Sequence, residues 1–252
     1  MIALTFDTDW MHPDDLQRFF DEYPFPGTGT IFLHQPYRFL ESTPHERCPH
    51  PLPVGPEDWK ASIRRLLDEL GLEPSGIRTH SAIHSHRLEM ALYELGCKYT
   101  SNTSRLFERN VQPVRLAWGL WELPIYYMDN LDLTMEEYWR EAGHKPLVPE
   151  VVAQALQDDA LYVFDFHPVH ITLNTPSLQY YLAHHAELKS GVSPFRLQHR
   201  GRGVGSLFKE LCAAMGAAGL ASVALRQVWA SATDRLASVR SDAKRWEEKA
   251  RG

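Results

Sequence analysis

Four short segments carry residues able to bind a metal ion or move protons. The first is Leu4-Thr5-Phe6-Asp7-Thr8-Asp9-Trp10, an apolar run that ends in two aspartates two positions apart. Residues i and i+2 of a strand share a side, so Asp7 and Asp9 can converge, one holding a cation while the other accepts a proton. They could equally be a loop pair capping a helix that starts near Pro13. The second, His45-Glu46-Arg47-Cys48-Pro49-His50-Pro51, falls in a proline-rich loop at 44–56. The prolines on either side of His50 stiffen its backbone, as a fixed ligand requires, although a polar surface loop would look the same. The third contains Arg78, His80, Ser81, His84 and His86. His80 and His84 stand about one turn apart if a helix opens near Ser81, whereas His86 is a step too far round. Arg78 could brace a carboxylate through a bidentate contact, or form an ordinary surface ion pair. The fourth, Val163-Phe164-Asp165-Phe166-His167-Pro168-Val169-His170, alternates like a strand that stops at Pro168. His167 is a general-acid candidate, Asp165 could orient an imidazole, and His170 could support the site or touch substrate.

The elements needed to position these groups follow from the hydrophobic pattern. Short β-branched or apolar runs predict strands at 2–6, 30–34, 76–79, 97–101, 120–125, 161–166 and 222–225. Helices are expected at 56–70, where Trp59, Ile63, Leu66, Leu67 and Leu70 share one face, and at 85–95, stopped by Gly96. Others are expected from Thr134, with Glu137 completing a capping box, and at 149–157, 177–188 and 206–215. Strands alternating with helices indicate an α/β chain, here a single irregular (β/α) barrel of about seven strands over 1–230. A charged helical tail at 231–252 would belong to the same domain, either solvated or serving as a packing or oligomer arm. Each chemical segment then lies at the C-terminal end of a different strand, where barrel active sites sit.

The 252 residues are 44% hydrophobic and 23% charged, which excludes a disordered chain. A net charge of -6 speaks against a nucleic-acid partner, and three cysteines do not make a disulfide-stapled scaffold. Neither a signal sequence nor an apolar stretch of membrane-spanning length is evident, so the expectation is a cytoplasmic protein without a transmembrane segment. Of the thirteen histidines, His50, His80, His84, His167 and His170 belong to these segments as candidates, and eight others need a place. His12, His86, His144, His184, His185 and His199 need no special role, while His34 and His45 are undecided.

In this order the segments TFDTDW, GTIFLHQP, HERCPHP, IRTHS, ELGCKYTSN, LWELPIYYMDN and FDFHPVHI resemble the motifs of the polysaccharide deacetylase family, metal-dependent carbohydrate esterases, over residues 2–225. The branch resembled is that of bacterial O-antigen and surface-glycan loci. The resemblance implies Asp7 as general base, Arg78 bracing it, His167 as acid, and Asp9 and His50 as ligands of a divalent metal, zinc foremost. The substrate would be an acetamido sugar, a glycan or an activated sugar. The sequence departs from the family pattern where Thr8 separates the aspartates, where the residues after His50 lack a second histidine, and where His80 replaces the usual proline. His80, or failing that His84, is therefore expected to complete the metal triad. A competing alignment makes His80 to His84 the whole histidine motif and leaves His50 a bystander. Trp10, Ser81, Trp121 and His170 are the expected substrate contacts, with Trp118, Tyr126 and Tyr127 as further aromatics beside the motifs. The glycines of Gly201-Arg202-Gly203-Val204-Gly205-Ser206 open a helix and could bind phosphate, or simply form a flexible turn. Two other readings are a non-catalytic glycan-binding protein on a degenerate barrel and a hydrolase of another C–N bond.

Overall fold

The computed structural model describes residues 1–9, 11–52, 59–135, 141, 147, 150–157 and 160–251. Strand β1 (Ile2–Asp7) is buried along its whole length and pairs in parallel with β2 (Thr30–Leu33) on one side and β9 (Tyr162–Phe166) on the other. β3 (Glu46–Pro49) extends this sheet beyond β2, and β8 (Ile125–Met128) extends it beyond β9. A second sheet has the order β4 (Gly76–Ile77), β5 (Tyr99–Thr100), β7 (Trp121–Glu122) and β6 (Val114–Arg115), with only β6 antiparallel. Strands covered on both faces read as continuous apolar runs, which is why 2–6 and 161–166 were legible.

Two seams join the sheets. At one, the Arg78 amide donates to the Pro49 carbonyl (3.4 Å) and the His80 amide to the Pro51 carbonyl (3.0 Å). At the other, the Arg105 and Phe107 amides donate to the carbonyls of Ile125 and Tyr126. β7 runs on into β8 as one broken stave, so the ring closes as an irregular seven-staved barrel. Helices α1 (Pro13–Glu22), α2 (Trp59–Leu70), α3 (His86–Leu95), α4 (Asp129–Thr134), α5 (Glu150–Ala155), α6 (Pro168–Leu173), α7 (Leu178–Lys189), α8 (Val204–Ala217) and α9 (Leu225–Arg251) surround it. α2 buries Ile63, Leu66, Leu67 and Leu70, as its spacing predicted. The Ser85 hydroxyl caps α3, and Gly96 ends it at φ 89°.

Two expectations need correction. Residues 46–49 of the proline-rich segment form a strand rather than a loop, because Glu46 is buried and fully partnered: Tyr99 Oη donates to Oε1 (2.7 Å), and Thr30 Oγ1 and the Arg226 amide donate to Oε2 (both 2.9 Å). The last contact sets a carboxylate at the start of α9, where the helix dipole favours it. Residues 222–225 do not form a strand: a single bridge joins Ser222 to Gly27, and the Ser222 hydroxyl takes the Leu4 amide at 2.8 Å while the chain turns into α9. Thr134 ends α4, and the helix expected from it, with Glu137, lies outside the described residues. α9 begins before residue 231, with Leu225, Val228, Trp229, Ala232 and Leu236 against the barrel. No described helix is long and apolar enough to cross a membrane.

Gly76 is tightly enclosed, since a Cβ there would sit 2.1 Å from the buried Tyr99 ring. Gly76→Ala should cost about 1–3 kcal/mol, read as a lower urea midpoint with unchanged slope.

Candidate active site

All the chemical groups stand at the C-terminal ends of the staves. Asp7 is the last residue of β1, His50 follows β3, Arg78 follows β4 and His167 follows β9. His50 is buried, and its Nδ1 lies 2.9 Å from the Arg78 carbonyl. A carbonyl only accepts, so Nδ1 carries the proton and Nε2 presents its lone pair. That lone pair faces Asp9 Oδ2 at 3.1 Å and Asp7 Oδ2 at 3.7 Å. His80 Nδ1 reaches the same Asp9 oxygen at 3.0 Å. Acceptors that converge this closely need a cation or a proton between them. Burial lowers the His50 pKa, but Asp7 and Asp9 outweigh it and raise it. Burial likewise pushes Asp9 up, and the imidazoles of His50, His167 and His80 more than reverse this, holding it well below the usual carboxylate range.

The ligand atoms of Asp9, His50 and His80 lie within 4.8 Å of one another, so one ion could be held by all three. One carboxylate and two imidazoles suit a divalent ion of the zinc kind. His84 is directed elsewhere. Ser81 and Ala82 take positive φ (61° and 48°), which breaks the expected helical turn, and His84 Nε2 pairs with Glu89 at 3.0 Å.

Arg78 is fully buried under this cluster. Its Nη1 donates to Asp7 Oδ1 (3.0 Å), Thr5 Oγ1 (2.9 Å) and Asp165 Oδ1, while Nε and Nη2 donate to the Ser101 carbonyl and hydroxyl, both at 2.8 Å. Its guanidinium also lies 4.3 Å from the Phe32 ring centroid. One guanidinium thus faces two buried carboxylates. Burial raises the Asp165 pKa, Arg78 opposes it and Asp7 adds to it. Asp165 Oδ2 makes no hydrogen bond.

Asp165 does not orient His167, because its carboxylate is spent on Arg78 and Thr5. Asp129 takes that place, a residue not singled out from the sequence. Its Oδ1 lies 2.7 Å from His167 Nδ1, and its Oδ2 accepts the His167 amide at 2.8 Å. Burial lowers the His167 pKa, but Asp129 pushes it up to about 10. The signal was present: the apolar run Ile125–Met128 ends in Asp129 as the run before Asp7 does.

The remaining expected contacts scatter. Ser81 is exposed beside His80, and Trp10 lies outside the described residues. His170 is 4% exposed, bonded to Thr175 Oγ1 (3.1 Å) and packed edge-on against Tyr181, so it supports the floor beside His167 rather than lining an open groove. Trp121 opens β7, and it and Trp118 therefore lie at the opposite end of the barrel; Tyr126 and Tyr127 are core. His45 is structural, accepting the Gly29 amide and stacking on Phe20 and Phe25. His34, at the end of β2, bonds Thr8 Oγ1 at 3.1 Å. Thr8 gives its one hydroxyl proton to the Phe32 carbonyl, so His34 Nδ1 donates and Nε2 is left as an acceptor. The glycine string is no phosphate cradle: Asn174 Oδ1 already accepts the Ser206 amide at the start of α8, and a Cβ at Gly203 or Gly205 would meet the backbone of Asn174 or Ile171.

The sequence profile of the family described as WbmS-like polysaccharide deacetylase matches residues 4–185. A solved structure from Bordetella bronchiseptica, described as a polysaccharide deacetylase involved in O-antigen biosynthesis, is 22% identical, with 84% of this chain and 90% of that chain covered at a TM-score of 0.66; it shows the same fold. A family 4 carbohydrate esterase from Streptomyces lividans, solved with acetate, is 11% identical, with 88% and 90% covered at a TM-score of 0.45. Among curated proteins, the chloroplastic/mitochondrial glycine–tRNA ligase 2 of Arabidopsis thaliana is 32% identical over 113 residues, 38% of this chain. The chain spans only 10% of that protein's length. The matched profile covers well over half of the 252 residues and takes in every strand end that carries the cluster, so the chain belongs to the WbmS-like polysaccharide deacetylases.

Proposed function

We propose that the chain removes N-acetyl groups from a sugar or glycan, using a divalent ion, zinc by preference, held by Asp9, His50 and His80. The observation that carries this reading is the meeting, at one end of the barrel, of a metal-type cluster, an arginine-braced carboxylate and a carboxylate-braced imidazole. A bound ion of this kind would polarise the acetyl carbonyl and acidify water. Asp7 is the base. Arg78 fixes its Oδ1, and Oδ2, 3.7 Å from His50 Nε2, takes the proton of the attacking water. The Ser81 amide is the oxyanion donor. His167 is the acid: with Nδ1 committed to Asp129, it delivers its Nε2 proton to the departing nitrogen, which leaves poorly as an anion. A pKa of about 10 keeps that proton in place at neutral pH. The proposed setting is the synthesis of O-antigen or a related surface polysaccharide, in the cytoplasm.

The test is acetate release from UDP-N-acetylglucosamine and N-acetylated oligosaccharides by zinc-loaded protein. Asp7→Asn should cut kcat by about 10²–10⁴-fold while zinc content stays the same. Full activity in that variant would overturn the assignment. A wild-type protein that holds zinc and sugar yet frees no acetate would instead be a glycan-binding module.

A further inference from the structure

A basin of about 230 Å³ lies between the β6–β7 hairpin, the end of α3 and the first turns of α9. Trp121 and Trp229 form its deeper walls. Its rim holds Tyr93, 55% exposed, and Trp118, 52% exposed, with ring centroids 6.2 Å apart. Two large aromatic rings exposed side by side leave considerable apolar surface in water. Trp118 also sits at φ 60°, a left-handed conformation that bulky residues rarely adopt. The hairpin thus holds the indole outward at the rim.

Two cations complete the basin. Arg115 lies 5.6 Å from the Trp121 ring centroid, and a Cβ on Gly119 would come within 3.0 Å of its Nη2, so the glycine leaves room for the guanidinium. Lys98 lines the same basin. Neither cation forms an ion pair among the described residues, although the chain as a whole carries a charge of -6.

We propose that this basin is a second glycan site, distinct from the catalytic centre, that takes a carboxylate-bearing sugar ring. A pyranose presents a face of C–H groups that packs on Trp118 and Tyr93. A carboxylate at its edge is the natural partner of a guanidinium. Gly96 and Lys98 precede β5 and Trp121 opens β7, so the basin lies at the opposite end of the staves from Asp9, His50 and His80. Both sites can be filled at once, and the basin serves to retain an acidic glycan rather than to react with it.

The test is calorimetric titration with trigalacturonate, maltotriose and a short oligothymidylate. Wild-type protein should bind trigalacturonate saturably, more weakly at higher salt, and at least fivefold more tightly than maltotriose. Trp118→Ala should weaken trigalacturonate at least tenfold, and Arg115→Gln should weaken it at least threefold and remove the preference over maltotriose. Both variants should keep wild-type zinc content and acetate release. Asp7→Asn should bind trigalacturonate normally, so a failed catalytic assignment and a failed second site are told apart. Absence of trigalacturonate binding, affinity unchanged in both variants, or a preference for oligothymidylate would each overturn the proposal.

Discussion

Replacing Arg78 with methionine should lower stability by about 3–5 kcal/mol and abolish deacetylation in the same step. The fill of the interior is largely conserved by this change, so the effect is electrostatic. Arg78 is fully buried and donates to Asp7, Asp165, Thr5 and Ser101. Its loss strands two carboxylates among buried side chains, with Asp165 Oδ2 already lacking a partner. The pH dependence has a definite sign. Burial raises the folded pKa of Asp165 above its unfolded value even against Arg78, and removing the cation raises it further. A carboxyl with a raised folded pKa favours the folded state most where it is protonated, so the stability deficit of Arg78→Met should be greatest in alkali and shrink as pH falls. Urea denaturation from pH 5 to 8.5 measures this. A deficit independent of pH would mean that lost packing, not stranded charge, dominates. Activity should not return at low pH, because Asp7 would have lost its orienting contact.

Asp129→Asn should reduce kcat by about 10²–10⁴-fold and displace the alkaline limb of the pH–rate profile by several pH units. Burial lowers the His167 pKa and the Asp129 charge overcomes it, giving about 10. Without that charge burial prevails, and His167 should be neutral through the physiological range, with no proton for the leaving nitrogen. The limb should therefore move from near 10 to below about 6.5, the unperturbed histidine value. Stability should follow the same linkage. A histidine whose folded pKa is raised stabilises fully below its unfolded pKa, and the contribution fades as pH rises through the folded value. The variant should accordingly lose most stability at acid and neutral pH and little above pH 10. An alkaline limb that stays in place would remove His167 from the role of acid.

Much of this centre could be read from local pattern. Asp7 and His167 announce themselves as polar residues ending apolar runs, and Asp129 obeys the same rule, though it was passed over in a segment read for its aromatics. β3 was harder. Glu46, Pro49 and the flanking Pro44 and Pro51 make 46–49 look like a loop, and what turns it into a strand lies 16, 53 and 180 residues away, at Thr30, Tyr99 and the Arg226 amide. No window along the chain contains those partners. The expectation that His80 and His84 face one site rests on helical spacing, which the left-handed Ser81 and Ala82 break. Val223, Ala224 and Leu225 have strand composition, but the chain passes the N-terminal ends of β1 and β2 there and spends its polar groups on Gly27, Ile2, Leu4 and the α9 start.

The seam between β3 and β4 is thin: among the described residues its backbone-to-backbone bonds are the Arg78 amide to Pro49 and the His80 amide to Pro51, with His50 Nδ1 on the Arg78 carbonyl beside them. His50 and His80, the two imidazoles of the proposed triad, stand on opposite lips of that seam and meet at Asp9. A cation between them would act as a clasp, pulling the second sheet onto the first where backbone bonding is sparse. Loading the proposed centre and shutting the barrel would then be one equilibrium, and an empty centre would hold the wall less firmly at the place where the chemistry would occur.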